Sequence, residues 1–177
     1  MIERQTKRQE IYQGKVIHVV VDDVELEDGS TSKREVVLHH GGACIALQDE
    51  DGKFFLVKQY RYSIGKEMLE FCAGKIEEGE DPEETVLREC REELGYEAEG
   101  LVSLGSIIPT CGYCSERIHL YYAKKGRRVG QHFDADEDLR LYKYSYEEIQ
   151  ELIEKGIIDD AKTIVLMYRI GLRGLHE

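Results

Sequence analysis

The stretch that decides the fold runs from Gly74 to Tyr96 and reads GKIEEGEDPEETVLRECREELGY. Asp81 can cap free amides, Pro82 suits a first helical turn and Glu84 completes a capping-box-like pattern, so a helix is predicted from Pro82 until Gly95 stops it. On such a helix Glu89, Glu92 and Glu93 are three and four residues apart and share one face, while Val86, Leu87, Cys90 and Leu94 fall on another. The apolar stripe can pack on a core while three carboxylates gather in a small volume. Like charges at these spacings cost about 0.2 to 0.5 kcal/mol per pair, a penalty that a hard, oxygen-seeking cation such as Mg²⁺ would reverse. The competing reading is a solvated charged face with no chemistry at all.

Outward from the helix, composition narrows the classes. The chain has 177 residues, enough for one domain with an appendage, and 41% hydrophobic with 34% charged residues indicates a globular protein. No apolar run reaches membrane length, and MIERQTKRQEIYQGK at the start lacks the apolar stretch of a secretory signal, so the expected compartment is the cytoplasm. Twenty-four basic against 36 acidic residues give a formal charge of -12, which argues against bulk nucleic acid as a partner. A phosphate-bearing substrate would need a divalent cation to offset the repulsion. The five cysteines are odd in number, and reduced thiols are expected rather than a disulfide framework.

Between Lys15 and Val37, KVIHVVVDDVEL and STSKREVVLH read as two strands joined by turn residues Glu27, Asp28 and Gly29. ACIALQ leads through Asp49 to Gly52 into KFFLVKQYRY as a second hairpin. More strands follow in LVSLGSII, RIHLYYAKK and LRLYKY, the last preceded by the long loop GRRVGQHFDADED. Ser145, with Glu148 three residues on and Gly156 beyond, frames one closing helix, and a second is predicted from about Asp160 to Ile170. The pair His39 and His40 reads as structural, since nothing nearby completes a metal site.

Gly74, Glu80, Arg88, Glu89, Glu92, Glu93 and Gly95 stand in the register of the Nudix hydrolase signature, which this stretch resembles at every fixed position. Cys90 and Tyr96 hold its two hydrophobic places, where aliphatic residues are usual. The resemblance implies an α/β Nudix fold, a mixed β-sheet sandwiched between helices. It further implies that Glu89, Glu92 and Glu93 bind Mg²⁺, with Mn²⁺ as a substitute, and that Arg88 orients them. Glu80 is expected to hold the loop, and Gly74 and Gly95 to mark backbone turns.

Outside the signature, DGSTSKREVVLH, LVKQYRYSIGKEMLEFCAGKIEEGE, PTCGYCSE and the closing EDLRLYKYSYEEIQELIEKGIIDDAKTIVLMY resemble the ADP-ribose pyrophosphatase branch. Cys72 and Cys111 stand where that branch commonly has prolines. The likeness implies cleavage of ADP-ribose to AMP and ribose 5-phosphate. It also implies an N-terminal antiparallel β segment over residues 1–38, exchanged across a homodimer, ahead of a hydrolase domain over 39–177. Arg61 would reach the diphosphate or a catalytic carboxylate, Glu116 the terminal ribose, and Arg34 and Gly74 complete the substrate-binding set. Catalysis would fall to Glu93, Arg88 and a base on the HFDADED loop. Aligning EDLR with the family's segment places Glu137 at an acidic position and Ala135 where some members keep the base, which ranks Glu137 first, Asp136 second and Glu116 third. Cys111 and Cys114 form a CxxC spacing with no second pair to complete a zinc site, and read as loop residues lining the cleft. Two alternatives stay open: a pyrophosphatase for GDP-mannose or another nucleoside diphosphate sugar, and a non-catalytic ADP-ribose sensor.

Overall fold

The computed structural model describes residues 2–132 and 139–176. The chain divides into two compact units, one of residues 1–41 with 108–117, the other of residues 42–107 with 118–177.

In the first unit β1 (Arg4–Gln13), β2 (His18–Glu25) and β3 (Thr31–Leu38) form an antiparallel sheet in that order. The β2–β3 hairpin is the one the turn residues predict: Asp28 accepts from the amide and hydroxyl of Ser30 at 2.9 and 2.6 Å, and Gly29 has φ 80°. Strand β1 is not predicted by the sequence. All ten of its residues are exposed, so it carries no apolar alternation to read, and a bidentate pair helps to hold it: Arg8 grips the buried Asp22 of β2 at 2.8 and 2.7 Å. The end of β3 is laced to the 108–117 segment, with Val37 N donating to Tyr113 O at 2.7 Å and Ser115 N to Val37 O at 2.9 Å.

In the second unit seven strands make one sheet. Its main path is β10 (Leu139–Tyr144), β5 (Phe54–Arg61), β4 (Gly42–Gln48), β9 (Ile118–Arg128) and β8 (Tyr96–Ile107). Off this path β6 (Lys66–Glu70) pairs with β5 and β7 (Cys72–Lys75) with β4. Strands β4 and β9 run parallel and the other pairs antiparallel, so the sheet is mixed. All seven β4 residues are buried, and their alternation feeds two cores. Cys44 and Ala46 join the core packed under α2 (Tyr146–Glu154) and α3 (Ala161–Leu172); Ala43, Ile45 and Leu47 join the core under α1 (Pro82–Glu89). This is the mixed sheet between helices that the resemblance implies. Among the described residues no helix is long and apolar enough to cross a membrane.

All three helix starts follow the sequence. Asp81 accepts from Glu83 N at 2.8 Å, the Ser145–Glu148 capping box is reciprocal at 3.2 and 2.7 Å, and Asp160 accepts from Thr163 N at 2.9 Å. The predicted helix through Leu94, however, changes character midway. After Glu89 the backbone winds as a π-helix over Cys90–Leu94, closed by Gly95 at φ 77°. Its last carbonyls are met from residues beyond β9: Gln131 Nε2 donates to Glu93 O at 2.7 Å and His132 N to Glu92 O at 2.9 Å.

Candidate active site

The wider turn redistributes the three glutamates. Glu89 and Glu93 are buried, at 9% and 3% exposure, while the Glu92 side chain stays 41% exposed. Arg88 ties two of them together: its Nη1 donates to Glu89 Oε1 at 2.8 Å and to Glu92 Oε2 at 3.0 Å. The rest of the guanidinium grips Glu80, Nε to Oε1 at 3.0 Å and Nη2 to Oε2 at 3.2 Å. Glu80 Oε2 also accepts from Thr85 Oγ1 at 2.7 Å and from Glu77 N at 3.1 Å. The Arg88 fork outweighs the opposing effect of burial and draws the Glu80 carboxyl down from 4.5 to about 2, with Thr85 and Glu77 adding to it. Glu80 thus stays ionised and holds both the loop before α1 and the arginine that aligns Glu89 and Glu92.

Glu93 turns toward Cys72. Burial pushes the Cys72 thiol well above its usual range; the charge of Glu93, the neighbouring Cys90, a hydrogen bond to Glu93 and the charge of Glu89 push the same way. Burial likewise pushes Cys90 up to about 12 and raises Cys44, so the three buried thiols are protonated and inert as nucleophiles at neutral pH.

Gly74 departs from its expected place in a turn. It lies in β7, paired with Ala43, and its need for glycine comes from the helix: a Cβ there would sit 1.8 Å from Glu89 Oε1 and 2.4 Å from Glu89 Cγ. The Glu89 carboxylate therefore lies directly on the bare Cα of Gly74, a cradle that any side chain would fill. Among the described residues no three His, Cys, Asp or Glu side chains stand close enough to form a finished metal cage, and between Glu89 and Glu92 the positive charge is Arg88. The donor set is nevertheless all carboxylate oxygen on two adjoining turns, the chemistry that suits a hard divalent cation.

Arg61, at the end of β5, donates from Nε to Glu70 Oε1 at 2.7 Å. Burial disfavours its charge, but Glu70, Glu93 and Asp160 more than offset this and raise its pKa, which puts the guanidinium within the field of the glutamate helix. The sequence reading gave Asp160 only as a helix start and did not single out Glu70 or Lys162, which complete this network. Their one local signal is Lys162, a cation in the first turn of a helix.

Arg34 and Glu116 belong to the first unit. Arg34 is engaged by Glu3 at 2.8 and 2.6 Å, and its Nη1 by Ser32 Oγ and Lys33 O. Glu116 Oε1 lies 3.7 Å from His39 Nδ1, which accepts from Gly41 N at 2.9 Å. Cys111 is exposed and Cys114 half-buried, both in the segment joined to β3. Glu137 and Asp136 lie outside the described residues.

Comparison with known proteins agrees with this geometry. Residues 38–166 match the family described as NUDIX domain, and residues 3–37 match the nucleoside diphosphate sugar hydrolase N-terminal domain. A methanol dehydrogenase activator from Bacillus methanolicus is 39% identical, spanning 97% of this chain and 94% of its own length. An ADP-ribose pyrophosphatase from Bacillus subtilis is 34% identical over the same shares, 97% and 94%. A GDP-mannose pyrophosphatase from Cronobacter sakazakii is 28% identical, over 92% and 91%. The solved structure of an ADP compounds hydrolase superposes with a TM-score of 0.85 at 19% identity, covering 99% of this chain and 96% of that one.

Proposed function

This chain belongs to the Nudix family and is a hydrolase of pyrophosphate bonds in nucleoside diphosphate derivatives; from that premise we propose that it cleaves ADP-ribose to AMP and ribose 5-phosphate. The observation that carries the chemistry is the Glu80–Arg88 brace, which aligns Glu89 and Glu92 next to the Gly74 cradle. The substrate rests on similarity to the Bacillus subtilis enzyme across nearly the whole chain.

In this reading Glu89, Glu92 and Glu93 hold Mg²⁺, or Mn²⁺ in its place, and the bound ion supplies polarisation of the phosphoryl oxygens and charge neutralisation in the transition state. Arg88 keeps Glu89 and Glu92 oriented. Arg61 offers its guanidinium to the diphosphate, Glu116 serves the terminal ribose, Arg34 of the N-terminal segment joins the substrate-binding set, and Glu137 accepts the proton of the attacking water.

A substrate panel tests the assignment. AMP and ribose 5-phosphate from ADP-ribose, faster than GMP and mannose 1-phosphate from GDP-mannose, is the expected result. The reverse preference would move the chain to GDP-mannose, and tight ADP-ribose binding without turnover of either would mark a sensor. The 39% identity to a dehydrogenase activator favours a second reading, in which the hydrolase also acts on a partner enzyme; adding methanol dehydrogenase to the panel and following its rate tests that.

The exposed apolar side chains of the first unit, Ile11, Tyr12, Val16 and Ile17 in and after β1, support a homodimer built by residues 1–38, in a cytoplasmic protein whose free thiols stay reduced. Light scattering should give twice 20.4 kDa, and deletion of residues 1–38 an inactive or insoluble product. A fully active monomer after that deletion would rule the dimer out.

A further inference from the structure

Lys162 is unusual in both burial and position. It is 8% exposed, although lysine is almost never fully buried unless paired, and it occupies the first turn of α3, where the helix dipole disfavours a cation. Its ammonium is held by Glu70 Oε2 and by Asp160 Oδ1, the latter at 3.0 Å. Glu70, at 1% exposure, holds Arg61 through its other oxygen. Replacing such buried pairs by apolar groups is often neutral or stabilising, so stability alone gives no reason for this arrangement.

The charges give one. Asp160 directs Oδ2 to the amide and hydroxyl of Thr163 at 2.9 and 2.7 Å, so its charge is met by the N-terminus of α3 as well as by Lys162. Glu70 lies between two cations. With Lys162 on one oxygen, Glu70 offsets less of the Arg61 charge on the other, and the guanidinium stays attractive to anions. The Arg61 side chain is 38% exposed, and its hydrogen bond within the described network uses Nε, which leaves the two Nη groups for anionic oxygens.

We propose that Lys162 is a positioning residue for substrate binding: by occupying the second oxygen of Glu70 it fixes the Arg61 guanidinium and preserves its charge for the diphosphate. The inference rests on Arg61 as a diphosphate ligand. It adds that the affinity of that ligand is set from beneath, across the ion pair with Glu70, by a residue on α3.

The test is steady-state kinetics at saturating Mg²⁺ on whichever nucleoside diphosphate derivative turns over fastest, with four variants. Lys162→Met should raise KM by about tenfold and change kcat less than about threefold, because Glu70 then neutralises Arg61. Lys162→Met with Glu70→Gln should bring KM back toward wild type, since the amide still accepts from Arg61 Nε without a charge. Arg61→Ala should raise KM by itself, and adding Lys162→Met to it should change nothing further. An unchanged KM for Arg61→Ala would overturn the diphosphate reading of Arg61 and this inference with it. A raised KM for Arg61→Ala beside an unchanged KM for Lys162→Met, even with a lower Tm, would overturn the inference alone. Should Lys162→Met fail to fold, the double variant decides: a KM still raised about tenfold despite the neutral pair would be fatal to the proposal.

Discussion

Glu93→Gln and Glu92→Gln are each expected to lower Mg²⁺-dependent turnover by roughly 10²-fold or more while leaving the fold intact. The two reach that result from different surroundings. Glu93 is 3% exposed in the apolar surroundings of Cys72, and glutamine has the same shape and volume, so the core keeps its packing. Glu92 is 41% exposed, and its pairing with Arg88 at 3.0 Å is a partly solvated contact worth about 0.3 to 0.5 kcal/mol. Loss of either carboxylate removes a charged oxygen donor that a neutral amide replaces poorly toward a hard cation. In metal-free buffer the Glu93 variant should melt slightly higher than the parent, since one of three like charges on adjoining turns is gone. For Glu92 that gain is offset by the lost Arg88 pair, and no shift in Tm is expected. Turnover against Mg²⁺ concentration, read beside the melting curves, checks both halves. Wild-type rates for both variants at saturating Mg²⁺ would remove the glutamates from the metal site.

The local parts of this site are legible in the sequence because each is written within a few residues. Asp81, Pro82 and Glu84 announce the start of α1 through side chains that reach only three positions. The register from Gly74 to Gly95 likewise identifies the family before any packing is known. The π-helical turn is not legible, since the spacing of Glu89, Glu92 and Glu93 is the same whichever carbonyls the backbone amides choose. That choice buries Glu93 and leaves Glu92 half in solvent. Gly74 was legible as a glycine but not for its reason, because Glu89, the side chain that needs its bare Cα, lies fifteen positions on. The Arg61–Glu70–Lys162 network spans residues 92 apart at its longest step, between Glu70 and Lys162, and carries no periodic signal. Strand β1 escapes notice for the opposite reason: with every residue exposed, it has no buried face to imprint a pattern.

Glu137→Gln is expected to lower turnover by roughly 10² to 10⁴-fold while changing substrate affinity little, the effect of deleting a general base. The case for a base outside the helix is stronger with the side-chain contacts in view. Glu89 and Glu92 share the Nη1 of Arg88, and Glu80 takes its Nε and Nη2. Glu80, Glu89 and Glu92 therefore have structural commitments, and Glu89, Glu92 and Glu93 the metal role proposed for them, which favours a base from outside the helix. Glu116, which faces His39 Nδ1 at 3.7 Å, stands third because the resemblance assigns it to the terminal ribose. Asp136 has a shorter reach than Glu137 and stands second. The three substitutions Glu137→Gln, Asp136→Asn and Glu116→Gln, compared by kcat under one set of conditions, separate the candidates. A loss below about tenfold at Glu137 beside a far larger one at either neighbour would transfer the role to that residue. Small and equal losses at all three would assign activation of the water to the metal alone, with no protein base required.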